Sequence, residues 1–274
     1  MLSFPNCKIN LGLNILSKRE DGFHNIATAF YPLHITDAIE IIPAHSNAVS
    51  INFTSSGLTI DGNMEDNICI KAYHLLKKYF PQLPAINMHL HKSIPLGAGL
   101  GGGSADGAFT LQLLTTKFKL NLSAEQLIQY ALQLGSDCPF FIRNEPCFAT
   151  SRGETLTPIG LDLSGYQIII VHPGIHINTG WAFSQITPAL PKRSIESIIR
   201  QPIATWRSDL VNDFEIPVFE KYPVIKEIKE TLYQNGAVYA AMSGSGSSVF
   251  GIYAKGKLPA IPFPTGYFVR SVAL

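Results

Sequence analysis

The segment Pro95-Leu-Gly97-Ala-Gly99-Leu-Gly101-Gly102-Gly103-Ser104 places five glycines within seven residues, directly before a stretch with helical spacing. Glycine lets backbone N–H groups approach an anion closely, and a helix N-terminus adds unpaired donors and the positive end of its dipole. The chemistry open to this segment is therefore phosphate binding. A flexible turn is the plain alternative, but a turn needs only one or two glycines. Two other phosphate motifs do not account for it. The G-x-x-x-x-G-K-[ST] loop requires a lysine after the glycines, and none follows. The pattern G-x-G-x-x-G does match at Gly97, Gly99 and Gly102. A dinucleotide-binding unit, however, places an acidic residue about 20 positions later, where this chain reads Lys117-Phe-Lys-Leu-Asn-Leu122, so hydride transfer is a distant second class.

Other residues could serve the same chemistry or only the fold. Lys8 and Asn10 lie two apart on an alternating stretch, so both project from one face and could reach one ligand; a solvated strand face would carry the same pattern. Asp137 follows the helix stop Gly135 and precedes Pro139, which suits an N-cap. Asn67 heads a helical stretch and reads as its cap or as a ligand contact, and Ser104 could cap a helix, contact phosphate or approach Mg²⁺. Phe23 and Phe183 read by default as core aromatics.

The elements that must position these groups come as strands first and helices after. Cys7, Ile9, Leu11, Leu13 and Ile15 alternate with Lys8, Asn10, Gly12 and Asn14, an opening strand with a polar face. Strand-like runs follow at 38–42, 49–53 and 86–90, and 67–79 reads as a helix. Past the glycines, 104–118 is helical, and 122–135 is a helix with a Ser123/Gln126 capping box and a Gly135 stop. Residues 145–165 read as loop-rich, and the domain boundary falls there, giving domains 1–155 and 156–274. Beyond it come a strand at 166–171, helices near 194–199 and 224–234, and strands at 238–242 and 248–253, a small α+β sandwich.

At 274 residues the chain has room for two moderate domains, and 46% hydrophobic against 15% charged residues supplies a sizeable core. A net charge of +1 and no dense Lys/Arg run leave no footprint for nucleic acid or an anionic membrane surface. Cys7, Cys69, Cys138 and Cys147 form no C-x-x-C pair, which argues against a disulfide framework or a zinc site and fits a reducing cytoplasm. No apolar run approaches the roughly 20 residues that span a bilayer, and the opening residues do not describe a secretory signal.

On these residues the chain resembles the GHMP kinases. Pro95-x-x-x-Gly99-Leu-Gly101-Gly102-Gly103-Ser104 is similar to their central ATP-binding motif, Ser243-Gly244-Ser245-Gly246-Ser247-Ser248 to their C-terminal glycine-rich motif, and Pro5-Asn-Cys-Lys8-Ile-Asn10-Leu11 to their N-terminal one. The strings Asp21-Gly22-Phe23-His24, Glu65-Asp66-Asn67 and Gly135-Ser136-Asp137-Cys138-Pro139-Phe140-Phe141 resemble the branch whose acceptor is a cytidine diphosphate-linked polyol of the non-mevalonate isoprenoid route. His172-Pro173-Gly174 and Pro191-Lys192-Arg193-Ser194 strengthen that match.

The resemblance implies a two-domain α+β fold, with a ribosomal protein S5 domain 2-like N-terminal domain and a ferredoxin-like C-terminal one. It also implies ATP and Mg²⁺ as cofactors. Lys8 and Asp137 would be catalytic, Asp137 taking the proton of the attacking hydroxyl. Pro95, Gly97, Gly99, Leu100, Gly101, Gly102, Gly103, Ser104 and Asn67 would bind ATP. Asn10, Phe23, His24, Phe183, Gly244 and Gly246 would bind the acceptor, the two phenylalanines sandwiching the base and His24 bonding its edge. Phe23 stands where the family often has Tyr; stacking needs only the ring face. Asn212-Asp213 resembles a packing motif and is assigned no chemistry. The metal ligands and the oligomeric state stay open, as does the alternative of another alcohol acceptor such as homoserine or mevalonate.

Overall fold

The computed structural model describes residues 1–44 and 50–274. In chain order its strands and helices begin with β1 (Leu2–Ser3), β2 (Asn6–Lys18), β3 (His24–Thr36), β4 (Ala38–Pro43) and β5 (Ile51–Gly57). There follow α1 (Ile68–Tyr79), β6 (Ile86–Lys92), α2 (Gly102–Lys117), α3 (Ala124–Leu134), α4 (Cys138–Arg143), β7 (Cys147–Thr150), β8 (Thr155–Pro158) and β9 (Tyr166–His172). The last part holds α5 (Thr179–Ser184), α6 (Ile195–Ile199), α7 (Trp206–Asp209), α8 (Glu215–Lys221), α9 (Pro223–Gln234), β10 (Tyr239–Met242), β11 (Val249–Ala254) and β12 (Phe268–Ala273). The Val49 start expected for the third strand run lies outside the described residues.

By contacts the chain forms two compact units that are not sequential stretches. One holds Met1–Cys7, His34–Leu96 and Gly101–Glu145; the other holds Lys8–Leu33, Gly97–Leu100 and Pro146–Leu274. They differ from a linear division near residue 155 because β3 pairs with β7, with Thr28 opposite Ala149 and Phe30 opposite Cys147. That pairing carries 8–33 into the C-terminal unit.

The first unit contains the sheet β1-β4-β6-β5 and helices α1 to α4. Its inner face is set by alternation: Ile39 lies opposite Leu90 and Ile41 opposite Met88, all four fully buried or nearly so. β5 runs parallel to β6, and α1 supplies the crossover such a pair requires. Helix α1 buries Cys69, Ala72, Tyr73 and Leu76, one apolar stripe at helical spacing.

The second unit contains two sheets, β2-β3-β7-β8 and β10-β11-β9-β12. Ile168 to Val171 of β9 are buried on both faces, as a central strand between β11 and β12 must be. Helix α9 begins at Pro223, whose missing N–H costs nothing in the first turn, and buries Ile225, Ile228 and Leu232 in the core shared with Leu13, Phe214 and Val249.

Two expectations change. Residues 147–158, read as loop, form the β7–β8 hairpin with the turn at Ser151–Glu154; its strands of four residues each are too short for a periodicity signal. The polar face of β2 is not solvated: Lys8, Asn10 and Asn14 are 4%, 2% and 5% exposed, so each must find partners inside the protein. Among the described residues no helix is long and apolar enough to cross a membrane.

Candidate active site

The glycine-rich segment is divided between the units. Gly97, Gly99 and Gly101 all have positive φ, at +62°, +79° and +70°, so alternate residues adopt the left-handed conformation that only glycine enters freely. Gly97 to Leu100 belong to the second unit. There Lys8 N–H donates to the Leu100 carbonyl at 2.9 Å, Ser248 N–H to that of Ala98 at 3.1 Å and the Ser243 hydroxyl to that of Gly99 at 2.7 Å. Leu100 itself is buried, so only its backbone is available to a ligand. A Cβ on Gly99 would stand 2.1 Å from the Ser243 carbonyl oxygen. Gly99→Ala is accordingly expected to push the two glycine-rich turns apart, with strain of about 1–3 kcal/mol from the backbone alone. Titration calorimetry should show ATP affinity falling by roughly tenfold or more; unchanged affinity would remove this close approach from the site.

In the first unit, Gly101 is the N-cap of α2 and offers no side-chain cap, leaving the first-turn N–H groups for a ligand. A cavity of about 550 Å³ in this unit is lined by Asn67, Gly103, Ser104 and Asp106 together with apolar Phe53, Ile60, Met64, Ile68 and Leu96, a size and lining that suit a nucleotide. A groove of about 540 Å³ beside Lys192 and Arg193 in the second unit is as large, so size does not choose between them; the glycine-rich turn does. Asn67 serves as N-cap of α1, accepting from Cys69 N–H at 2.9 Å, and still borders the cavity, so its two expected roles are compatible.

Asp137 occupies the N-cap position of α4, but its helical dihedrals (φ −84°, ψ −16°) keep its side chain from capping. The cap reading suggested by the sequence is thus not realised by the carboxylate. Cys138, the next residue, is fully buried, and its thiol is pushed up to about 12 by burial against a smaller opposing effect of its hydrogen bond with Ser104.

In the second unit Lys8 Nζ donates to Asn10 Oδ1 at 2.5 Å and lies 4.5 Å from the centre of the Phe30 ring. Asn10 Nδ2 donates to Thr28 Oγ1 at 3.0 Å, and Asn10 N–H donates to Ser243 Oγ at 3.2 Å. The polar face of β2 is therefore a buried network reaching the carbonyl of Gly99. Thr28, Phe30 and Ser243 were not singled out by the sequence as site residues; only Ser243 stood in a recognisable string.

Phe23 is 52% exposed, and the Arg152 guanidinium lies 4.9 Å from its ring centre. Phe183 is stacked on His24, with centroids 4.8 Å apart and planes at 14°. That spacing is ordinary ring contact and leaves no room for a base between these two rings. Burial, with a smaller effect of Lys18, lowers the His24 pKa, which favours a neutral ring able to bond a base edge. Gly244 and Gly246 have positive φ in the turn between β10 and β11, and Gly244 lies against Gly99.

His172 ends β9 beside this turn. Ser247 Oγ donates to the Ile175 carbonyl at 2.5 Å, so its 3.1 Å contact with His172 Nδ1 requires the ring to donate. Burial depresses the His172 pKa to about 4. Unfolded histidine binds its proton near pH 6.5 and the folded ring does not, so this stabilisation is complete above about pH 6.5 and is lost as pH falls toward 4. A loss of about 2 kcal/mol over that window is expected in urea titrations, absent in His172→Asn.

Among the described residues, no group of three or more His, Cys, Asp or Glu could hold a metal. All four cysteines are buried and unbridged.

A two-domain α+β chain with a glycine-rich turn opening one helix and a second such turn in its C-terminal part is the architecture of a GHMP-type kinase. Profiles of that family match twice, "GHMP kinases N terminal domain" over residues 67–145 and "GHMP kinases C terminal" over 189–261. The 4-diphosphocytidyl-2-C-methyl-D-erythritol kinase of Bacteroides fragilis is 52% identical over 93% of this chain and 92% of its own. That of Cytophaga hutchinsonii is also 52% identical, over 92% of each. A crystal structure of 4-(cytidine 5'-diphospho)-2C-methyl-D-erythritol kinase superposes with a TM-score of 0.80 at 30% identity, covering 93% of this chain and 91% of the other. The mevalonate kinase of Methanococcus jannaschii, with a TM-score of 0.68 at 12% identity over 94% and 92%, shares the fold. The chain belongs to the GHMP kinases and, within them, to the 4-diphosphocytidyl-2-C-methyl-D-erythritol kinase family. It is an ATP-dependent kinase.

Proposed function

We propose that the chain transfers the γ-phosphoryl group of ATP to the 2-hydroxyl of 4-diphosphocytidyl-2-C-methyl-D-erythritol, a step of non-mevalonate isoprenoid precursor synthesis. The observation that carries this is the buried Lys8–Asn10 pair, hydrogen-bonded through Ser243 to the glycine-rich turn at Gly99. A solvated strand face would have no such partners, whereas a lysine held there supplies positive charge where phosphoryl transfer develops negative charge.

In this reading Asp137 accepts the proton of the attacking hydroxyl. Phosphoryl transfer has a loose transition state, so positioning of that carboxylate matters more than its basicity. The first-turn N–H groups of α2 and the backbone of Gly97 to Ser104 hold the phosphates. The nucleotide base takes the apolar cavity beside Asn67. Asn10, Gly244 and Gly246 face the acceptor, and the exposed ring of Phe23 with His24 and Phe183 receives its cytosine. Mg²⁺ usually binds through one or two protein oxygens plus phosphates rather than a protein cage. The Ser104 hydroxyl, in the first turn of α2, fits that donor set. The ion would neutralise charge on the transferring phosphate. The site is in a chain read as cytoplasmic, acting on small molecules.

Incubating the purified protein with Mg²⁺, ATP and 4-diphosphocytidyl-2-C-methyl-D-erythritol tests the proposal by ADP release and product mass. Stoichiometric monophosphorylation is expected. ATP binding without transfer would keep the family fold and discard this acceptor.

A further inference from the structure

Asn212 and Asp213, to which the sequence assigned no chemistry, and Glu215 just after them hydrogen-bond to β2 and to the region of the turn that follows β10. Asn212 is 2% exposed, and its Nδ2 donates to two carbonyls, Met242 and Gly244, both at 2.8 Å, while its Oδ1 accepts from Phe214 N–H at 3.0 Å. Its donors and one acceptor are thus committed, and two of the three bonds hold the turn that follows β10. Glu215 closes the same turn from the other side, accepting from Met242 N–H at 2.8 Å and from Lys229 at 2.6 Å. Asp213 grips β2: its carboxylate accepts from Ile15 N–H at 2.8 Å and Asn14 Nδ2 at 3.1 Å, and its own N–H donates to the Leu13 carbonyl.

Between the two carbonyls that Asn212 holds sits Ser243, whose hydroxyl reaches Gly99 and accepts from Asn10 N–H. We propose that Asn212 is a positioning residue for phosphoryl transfer, locking Met242 to Gly244 so that Ser243 fixes Gly99 against the strand bearing Lys8 and Asn10. An apolar packing role would need none of the three polar bonds, and a simple loop anchor would need one. This inference rests on the proposed role of Lys8 and Asn10 for its effect on turnover, and on the hydrogen bonds alone for its effect on the turn.

Two variants test it in the full-length protein. Asn212→Ala removes all three bonds. Asn212→Asp keeps the shape and the bond from Phe214 N–H but, when ionised, faces two carbonyl oxygens with no donor; protonated, it regains one. Hydrogen exchange followed by mass spectrometry is expected to show faster exchange confined to peptides covering 97–100 and 243–248. Turnover should fall by about tenfold or more with KM for ATP changed less than about threefold, assayed well below the melting temperature. The Asn212→Asp deficit should shrink as pH is lowered from about 8 to about 6, because protonation restores a donor. A variant that keeps wild-type kcat while folded, or exchange that quickens evenly across the second unit, overturns the proposal. Should the wild type fail to phosphorylate the proposed acceptor, that assignment falls, while the exchange pattern still decides the clamp.

Discussion

Replacing Asp137 by Asn is expected to lower kcat by about 10² to 10⁴ while ATP affinity stays within about threefold of the wild type. The size is that of a positioned proton acceptor, and the site allows the comparison to be clean. Asp137 sits at the head of α4 without capping it, and Asn is at least as well tolerated there, so the fold should not register the change. What is lost is the capacity to take a proton from the acceptor hydroxyl. Single-turnover measurement with preformed MgATP complex separates the transfer step from binding; near-normal transfer would remove the role from Asp137 and leave the phosphate loop and Lys8 to account for the rate.

The second large effect concerns no predicted site residue. Lys92, at the end of β6, donates to Asp37 and, at 2.8 Å, to Asp106 in the second turn of α2; the three side chains are 0%, 0% and 3% exposed. Asp37 has further support from the N–H groups of Ser93 and Ile94, at 2.6 and 2.8 Å, whereas Asp106 Oδ1 has no hydrogen-bond partner within the protein. Burial pushes the Asp106 pKa up to about 7, Lys92 opposing and the charge of Asp37 adding to it. Lys92→Met would leave two buried carboxyls without a counter-charge, and a destabilisation of about 3–5 kcal/mol is expected. Urea denaturation reads it directly, and an unchanged midpoint would show that the triad contributes no net stability. The sign of its pH dependence is set by Asp106: a raised folded pKa means stability that is present below about pH 4 and lost as pH rises toward 7, opposite in direction to the effect of His172.

Legibility in the sequence followed the reach of local rules. The capping box of α3 is formed as written, with Ser123 and Gln126 bonding each other's backbone, because every atom it needs lies within four residues. Alternation found β4 and β6, and the glycine run marked the start of α2. Strand β3 was missed although it has 13 residues, since Thr28, Asn25 and His34 interrupt its apolar pattern and its partner β7 lies more than a hundred positions away. Lys92 carries no local signal, because its carboxylate partners Asp37 and Asp106 lie 55 and 14 positions away and meet it only in the fold. Ser243 and Asn212 act through pairs more than 30 or 200 positions apart, which no window of spacing can express. The ring pair is the instructive case: the resemblance assigned Phe23 and Phe183 to the faces of a base and His24 to its edge, and the stacking of Phe183 on His24 is a contact that no spacing in the sequence could announce.

The interleaving of the two units bears on how the chain is made. Strand β2 is synthesised about 200 residues before some of its partners: its bonds from Leu13 and Ile15 go to residues 211 and 213, and the β3 edge waits for residues 147–149. Although β2 can pair with β3 and β1 with β4 early, these later partners wait for most of the polypeptide, and the loops to be closed are long, which slows folding and exposes apolar strand meanwhile. Shortened chains ending near residue 145, which would retain every helix of the first unit, should therefore aggregate rather than persist as a nucleotide-binding fragment.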